Sequence, residues 1–240
     1  MKRKVSICFR IICISVVVVI IIIFSVPKFK TFVLSNCGMT LWKIQRHLEF
    51  DDSKMIESDY SKDDKNCNGI SDAIDLVNGA RKEVTNKTKY KSEYYKGGYP
   101  PKNEGVCTDV IWRAFFSIDV NLKDLIDEDI QNNTDLYTRV ENKPDPNIDF
   151  RRVPNQLTYF QRYAENLTTE LDINDEENMK QWQPGDIVIT LEPYEHVAMI
   201  SDKKDPSGIP YIIHNAYNKA SENIFDYNNV KIKGHFRWKY

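Results

Sequence analysis

Gly105-Val106-Cys107-Thr108-Asp109-Val110-Ile111-Trp112-Arg113-Ala114-Phe115 is the stretch on which the reading of this chain turns. Its apolar residues Val110, Ile111, Ala114 and Phe115, continued by Ile118, recur with the helical period, so a helix with one buried face starts close to Cys107. Upstream, Tyr94-Tyr95-Lys96-Gly97-Gly98-Tyr99-Pro100-Pro101 is broken by Gly and Pro and reads as a loop, and Ala73 to Lys82 before it reads as a second helix. Downstream, residues 120–180 mix short helical patterns with Pro144, Pro146 and Pro154, and their layout is open. The C-terminal part is plainer. Pro184-Gly185-Asp186 opens a strand from Ile187 to Leu191, Pro193-Tyr194-Glu195 turns, and Val197 to Ser201 forms the next strand. Asp205-Pro206-Ser207-Gly208 is a strong hairpin signal leading into Tyr211-Ile212-Ile213-His214. Helices followed by strands predict an α+β fold with an antiparallel sheet.

Charge divides the chain unevenly. Residues 1–30 hold six Lys and Arg and no acid, while the other 210 residues carry 27 basic against 35 acidic side chains, a formal charge of −8. A surface of that sign argues against nucleic acid as a partner. From Ile11 to Val26 the chain is uncharged and rich in β-branched residues, with Lys2, Arg3, Lys4 and Arg10 before it and Lys28 and Lys30 after. Counted over residues 5–26, with Arg10 snorkelling to the interface, this reaches the roughly 20 residues that cross a bilayer. The denser positive flank keeps the N-terminus in the cytoplasm and sends the remainder outside, which makes a single-pass cell-membrane protein with an extracellular C-terminal domain. A cleaved signal peptide is the alternative, although small residues in an A-x-A-like arrangement are missing near Val26. The expected organisation is a cytoplasmic tip and transmembrane anchor over 1–30, a stalk over 31–78 and a catalytic domain over 79–240.

Cys8 and Cys13 belong to the anchor, which leaves Cys37, Cys67 and Cys107 outside. Either Cys37 and Cys67 pair and leave Cys107 as a free thiol, or all three are unpaired. A thiol hydrolase needs a nucleophilic sulfur, an imidazole to take and return its proton, and a group that orients the imidazole. Cys107 at a helix start has the positive end of the dipole beside it, and the backbone N–H groups there can hold an oxyanion; Asp109 opposes this with its negative charge. His196 starts one strand and His214 ends its hairpin partner, at the same end of the sheet. Whether His214 or Asn215 faces His196 depends on register, since a slip of one residue exchanges their faces. Against this stands the plainer reading of an inert buried cysteine and a polar strand start. Cys107, His196 and His214 are also good zinc ligands.

The string Gly105 to Phe115 closely resembles an uncharacterised bacterial family, the domain-of-unknown-function family 1287, and the likeness continues through Asp149-Phe150-Arg151-Arg152-Val153-Pro154-Asn155, Pro184-Gly185-Asp186-Ile187-Val188, His196-Val197, Ile213-His214-Asn215 and Gly234-His235-Phe236-Arg237-Trp238. It covers about Gly79 to Tyr240. One departure is Phe150, where a His is expected before the paired arginines. That family in turn looks similar to the papain-like wall hydrolases, the NlpC-type endopeptidases and CHAP amidases. The resemblance implies a nucleophile helix packed on an antiparallel sheet, with Cys107 as nucleophile, His196 as base and His214 as third residue, Asn215 being the fallback. It also implies a place for Tyr94 near the oxyanion, from the Tyr-x-x-Gly-Gly lead-in of the NlpC-type enzymes, and a structural one for Asp186. Arg151 and Arg152 are candidates to bind a substrate carboxylate, or else form a structural ion pair. The implied substrate is peptidoglycan or another extracellular peptide, and no cofactor is required for the chemistry.

A second motif lies in Asp64-Lys65-Asn66-Cys67-Asn68-Gly69-Ile70-Ser71-Asp72-Ala73-Ile74-Asp75. Oxygen-bearing side chains fall at loop positions 1, 3, 5, 9 and 12 (Asp64, Asn66, Asn68, Asp72, Asp75), Gly69 takes position 6, and Ile70 offers its carbonyl at position 7, which is EF-hand spacing. With Asp at position 12 it resembles the dockerin variety of the loop and predicts a structural calcium. The alternative is a solvated turn that caps the next helix at Ser71 or Asp72. The first functional expectation is therefore an anchored extracellular cysteine amidase or endopeptidase. The second is a catalytically silent module that keeps the fold and binds wall peptides or a protein partner.

Overall fold

The structure is a computed structural model that describes residues 54–55 and 60–239. Helices run over Asp72–Thr85 (α1), Cys107–Phe115 (α2), Leu122–Asn132 (α3), Val153–Tyr163 (α4) and Glu176–Met179 (α5). Strands run over Lys54–Met55 (β1), Lys89–Tyr90 (β2), Glu104–Gly105 (β3), Glu165–Asn166 (β4), Ile187–Glu192 (β5), His196–Lys204 (β6), Pro210–Asn215 (β7), Ala220–Ile224 (β8) and Lys231–Arg237 (β9). Among the described residues the main sheet is antiparallel, in the order β4-β9-β5-β6-β7-β8, with β1 added to β6, while β2 and β3 form a small parallel pair. The expected mixed architecture of helices on an antiparallel sheet is what the chain adopts. No helix among the described residues is long and apolar enough to cross a membrane, and the apolar segment 5–26 and Cys37 lie outside them.

Helix α2 is the centre of the core. Val110, Ile111, Ala114 and Phe115, with Ile118 beyond the helix, are each at most 2% exposed and pack with Ile187, Ile189, Val197, Met199, Ile213 and Phe236 from one face of the sheet. Each such large side chain contributes roughly 1.5–3 kcal/mol relative to leaving it in water. The opposite face carries a smaller cluster of Val188, Ala198, Ile200, Ile212, Phe225 and Trp182. Because β5 is covered on both faces, it reads as the continuous apolar run Ile187-Val188-Ile189 rather than as an alternation. Helix α1 crosses α2 at Gly79, where a Cβ would meet Ser117 Oγ at 2.7 Å and the Ala114 backbone at 2.9 Å. The expected boundary between residues 78 and 79 thus falls inside a helix whose Leu76, Val77 and Ala80 share the core with α2.

Polar side chains at the two ends of α2 tie it to its surroundings. Asp109, on the first turn and fully buried, accepts from the Val106 N–H (2.7 Å), Trp112 Nε1 (2.7 Å), Arg151 Nε (2.7 Å) and Arg151 Nη2 (2.8 Å). Arg113, on the last turn, pairs with Glu83 of α1 at 2.6 Å and donates to the carbonyls of Pro101 (3.1 Å) and Glu104 (2.9 Å). The role of Arg151 as a substrate arm is corrected here. Its side chain is 2% exposed and donates also to the Glu93 carbonyl at 2.8 Å, so Arg151 takes the alternative, a structural ion pair. Arg152 pairs with Asp149 at 3.3 Å and is the half-exposed member of the two.

Removing one partner of a buried ion pair strands the other, which costs about 3–5 kcal/mol. Arg151→Met is expected to lower the unfolding free energy by about that amount, read from the urea midpoint. A loss under about 1 kcal/mol would mean that the pair holds nothing together.

Candidate active site

Cys107 is the first residue of α2 and is 7% exposed. The chain enters from the extended residue Val106, after β3 has paired with β2, so the sulfur stands where the helix begins. Burial pushes the thiol up to about 11, and the charge of Asp109 acts in the same direction; the backbone N–H groups of Val197, Thr108 and Cys107 itself point at the sulfur and oppose both. Val197 follows His196, so the sulfur lies against the first residues of β6. These N–H groups are the donors that a thiolate, or an oxyanion formed beside it, would use.

The register of β6 against β7 selects between the two candidate orienting residues. Met199 pairs with Ile213 and Ile200 with Ile212, which puts His214 on the face of Ala198 and therefore of His196. His196 Nε2 and His214 Nδ1 are 2.8 Å apart with their rings nearly perpendicular, at 81°. Burial pushes the His196 imidazole down to about 3, and the charge of His214 adds to this. At neutral pH His196 is thus a neutral base. With Nε2 spent on His214, its Nδ1 is the nitrogen left for a thiol. The 2.8 Å separation suits a shared proton, whereas two nitrogens ligating one tetrahedral zinc at ~2.0–2.1 Å would stand about 3.3 Å apart.

Two candidates fall elsewhere. Asn215 sits on the other face, fully buried, and its amide donates to the carbonyls of Thr88 (3.2 Å) and Gly105 (3.1 Å), so it fastens β7 to the strands that lead into α2 and does not orient His196. Tyr94 is 59% exposed and donates to Asp145 at 3.1 Å. The phenol that senses the thiol is instead Tyr90 of β2, raised by burial and then by the charge of Cys107. Sequence spacing missed Tyr90 because its two-residue strand carries no period. It also missed Asn223 of β8, whose amide lies 3.3 Å from His214 Nε2.

The loop Asp64 to Asp75 is a turn organised by its own side chains. Asp64 accepts from the N–H groups of Asn68 (3.0 Å) and Gly69 (2.8 Å), Asn68 Oδ1 accepts from the Ile70 N–H (2.8 Å), and Gly69 takes φ +88°. Asp75 reaches back from α1 to the side-chain amides of Asn66 (3.4 Å) and Asn68 (2.7 Å), so positions 3, 5 and 12 converge. Asp72 turns instead to the Lys65 N–H at 3.1 Å. Among the described residues no three His, Cys, Asp or Glu side chains gather as a metal cluster. The loop's donor set mixes carboxylates with amides, a hard oxygen set of the kind calcium takes.

The low value for His196 has a signed consequence for stability. Between about 3 and the ordinary 6.5, only the unfolded chain binds the proton, so the contribution is complete above pH 6.5 and is lost on acidification. From pH 6.5 to pH 4 this amounts to about 2–3 kcal/mol. Denaturant titrations at pH 7 and pH 4 are expected to show His196→Gln losing less stability than the wild type by about that amount. Equal acid losses in the two proteins would place the titration at another group.

Comparison with known proteins agrees in extent with this domain. Residues 77–238 match the model of a family described as Domain of unknown function (DUF1287). A curated relative, Uncharacterized protein YijF of Escherichia coli (strain K12), is 34% identical over 171 residues, covering 68% of this chain and 80% of that protein. No solved structure matches. With the family model spanning the site and both histidine strands, the chain belongs to the DUF1287 family.

Proposed function

We propose that this chain is a membrane-anchored, papain-like cysteine hydrolase, an amidase or endopeptidase acting on cell-wall peptides outside the cell. The observation that carries the reading is the 2.8 Å contact between His196 and His214 on adjacent strands, with the Cys107 sulfur at a helix start against the next residue, Val197. A nucleophile on a helix packed over an antiparallel sheet, with the base on a strand of that sheet, is the arrangement of the papain-like wall hydrolases that the sequence resembles. The uncharged run within residues 5–26 and its basic flanks support the anchor and the external location. The substrate class follows from that location and from the resemblance.

In this mechanism the thiol and imidazole rest neutral, since burial disfavours both charges. As the sulfur attacks the amide carbonyl, the S–H proton passes to Nδ1 of His196 and the imidazolium is steadied through Nε2 by His214. The tetrahedral oxyanion is held by backbone N–H groups at the start of α2, with the Tyr90 phenol as a further donor. Collapse of the intermediate releases the amine with the proton from His196, and water deprotonated by the same ring then cleaves the thioester.

The neutral resting pair is also the observation that favours the second reading, a silent module that binds wall peptides or a protein partner. Activity separates them. Incubated with purified peptidoglycan fragments, the wild type is expected to release new amino groups, while Cys107→Ala and His196→Ala fall to background with melting temperatures unchanged. Absence of release by the wild type, with fragment binding equal in wild type and Cys107→Ala, would overturn the hydrolase in favour of the module.

We further propose that the loop Asp64 to Asp75 holds a structural calcium, with Asp64, Asn66, Asn68, Asp75 and the Ile70 carbonyl as ligands and Asp72 released from the Lys65 N–H to join them. The ion would fasten the lead-in to α1 and takes no part in thiol chemistry. Calcium is expected to raise the melting temperature by several degrees over chelator, an effect abolished in Asp64→Ala. Identical melting curves with calcium and with chelator would refute it.

A further inference from the structure

The face of the sheet that carries His196 and His214 extends to a third strand. In the β7–β8 pairing His214 lies opposite Ser221 and Ile212 opposite Asn223, so Ser221 and Asn223 share the face of the two rings. The Asn223 side-chain amide is 3.3 Å from His214 Nε2 and 2.8 Å from Ser221 Oγ, and His214 Nδ1 is 2.8 Å from His196 Nε2. The side chains of His196, His214 and Asn223 therefore form one hydrogen-bonded row that ends at the residue before Val197, whose backbone N–H faces the Cys107 sulfur.

Proton placement along this row is all or nothing. A neutral imidazole carries one proton, and the contact between the rings holds one. If Asn223 presents its NH₂ group to His214 Nε2, that nitrogen must accept. The His214 proton then sits on Nδ1 and is donated to His196 Nε2, which forces the proton of His196 onto Nδ1 and closes that nitrogen to the thiol. If Asn223 presents its carbonyl oxygen, His214 donates from Nε2, accepts at Nδ1 from His196 Nε2–H, and leaves His196 Nδ1 as a free lone pair. In the structure the amide nitrogen takes the place beside the ring; a half turn about the terminal torsion brings the oxygen to the same position with distances unchanged. Ser221 accommodates that orientation, because its hydroxyl, which accepts from the amide nitrogen, can equally donate to the oxygen.

We propose that Asn223 is a positioning residue of the site, its side-chain carbonyl accepting from His214 Nε2–H and so setting both histidines in the tautomer that leaves His196 Nδ1 open to Cys107. The inference rests on the hydrolase reading for its purpose and on the hydrogen-bonded row for its substance. The residue works through two rings and touches neither the sulfur nor the substrate.

The test uses the full chain with ¹⁵N-labelled histidine, whose shifts report which ring nitrogen is protonated, together with the rate of iodoacetamide alkylation read at Cys107 by peptide mass spectrometry. The chain has four histidines, assigned by single substitutions. In the wild type both His196 and His214 are expected as Nε2–H tautomers. Asn223→Asp, which can only accept, should keep that pattern and alkylate within about threefold of wild type, whereas Asn223→Leu should mix the tautomers and slow alkylation about tenfold. Nδ1–H rings in the wild type that Asn223→Asp converts to Nε2–H would overturn the proposal, and so would an Asn223→Leu protein that matches wild type in both readouts. The first of these outcomes stands even if the leucine variant fails to fold. Should His196→Ala alkylate like wild type, the hydrolase reading falls, while the ¹⁵N spectrum still decides the place of Asn223.

Discussion

The buried ion pair between Asp109 and Arg151 is the constraint around which the rest of the molecule is arranged. Two charges in the interior are tolerable only when every lone pair and proton is matched, and here the carboxylate takes four hydrogen bonds from Val106, Trp112 and Arg151. Satisfying Asp109 fixes the first turn of α2, the entry from β3, and the segment that carries Arg151 into α4. It also answers an electrostatic difficulty of the sequence. An acid two residues from the candidate nucleophile raises the thiol, and a guanidinium bound to that acid limits how far its charge is felt.

Around this pair the polar residues divide between a framework and a separate hydrogen-bonded row. Arg113 with Glu83, Arg81 with Asp202 and Glu222, and Asn215 with the Thr88 and Gly105 carbonyls all join α1, α2 and their lead-in strands to the sheet. His196, His214 and Asn223 stand apart from that framework and bond chiefly to one another. Their ordering costs little extra, because consecutive antiparallel strands already put alternate residues on one face.

Much of this was legible in the chain itself, and the reasons for the rest are physical. The period of Val110, Ile111, Ala114 and Phe115 announced a buried helix because one face of it meets the sheet. Asp205-Pro206-Ser207-Gly208 announced the hairpin because Gly208 takes φ +91° there. What the turn could not disclose was the pairing beyond it, since the β6–β7 register is irregular between Ile200 and Lys204, and it is the pairing of Met199 with Ile213 that puts His214 rather than Asn215 on the face of His196. Arg151 and Arg152 look alike in sequence; only the fold makes one of them interior. Tyr90 and Tyr94 are likewise indistinguishable until β2 pairs with β3 and carries the first toward the sulfur. The strands Ala220–Ile224 and Lys231–Arg237 are too polar on one face to announce themselves, and Asn223 was missed with them.

The two faces of the sheet give the molecule an uneven tolerance to change. Cys107 belongs to the large cluster that α2 shares with Val197 and Met199, while the histidine pair lies on the side of Ala198 and Ile200, where the small cluster packs. Substitutions in the large cluster will be felt first as lost folding. Those in the small one fall on the imidazoles' face of the sheet and leave most of the interior untouched. The small cluster is thus the part of the interior that can change at least cost to the scaffold.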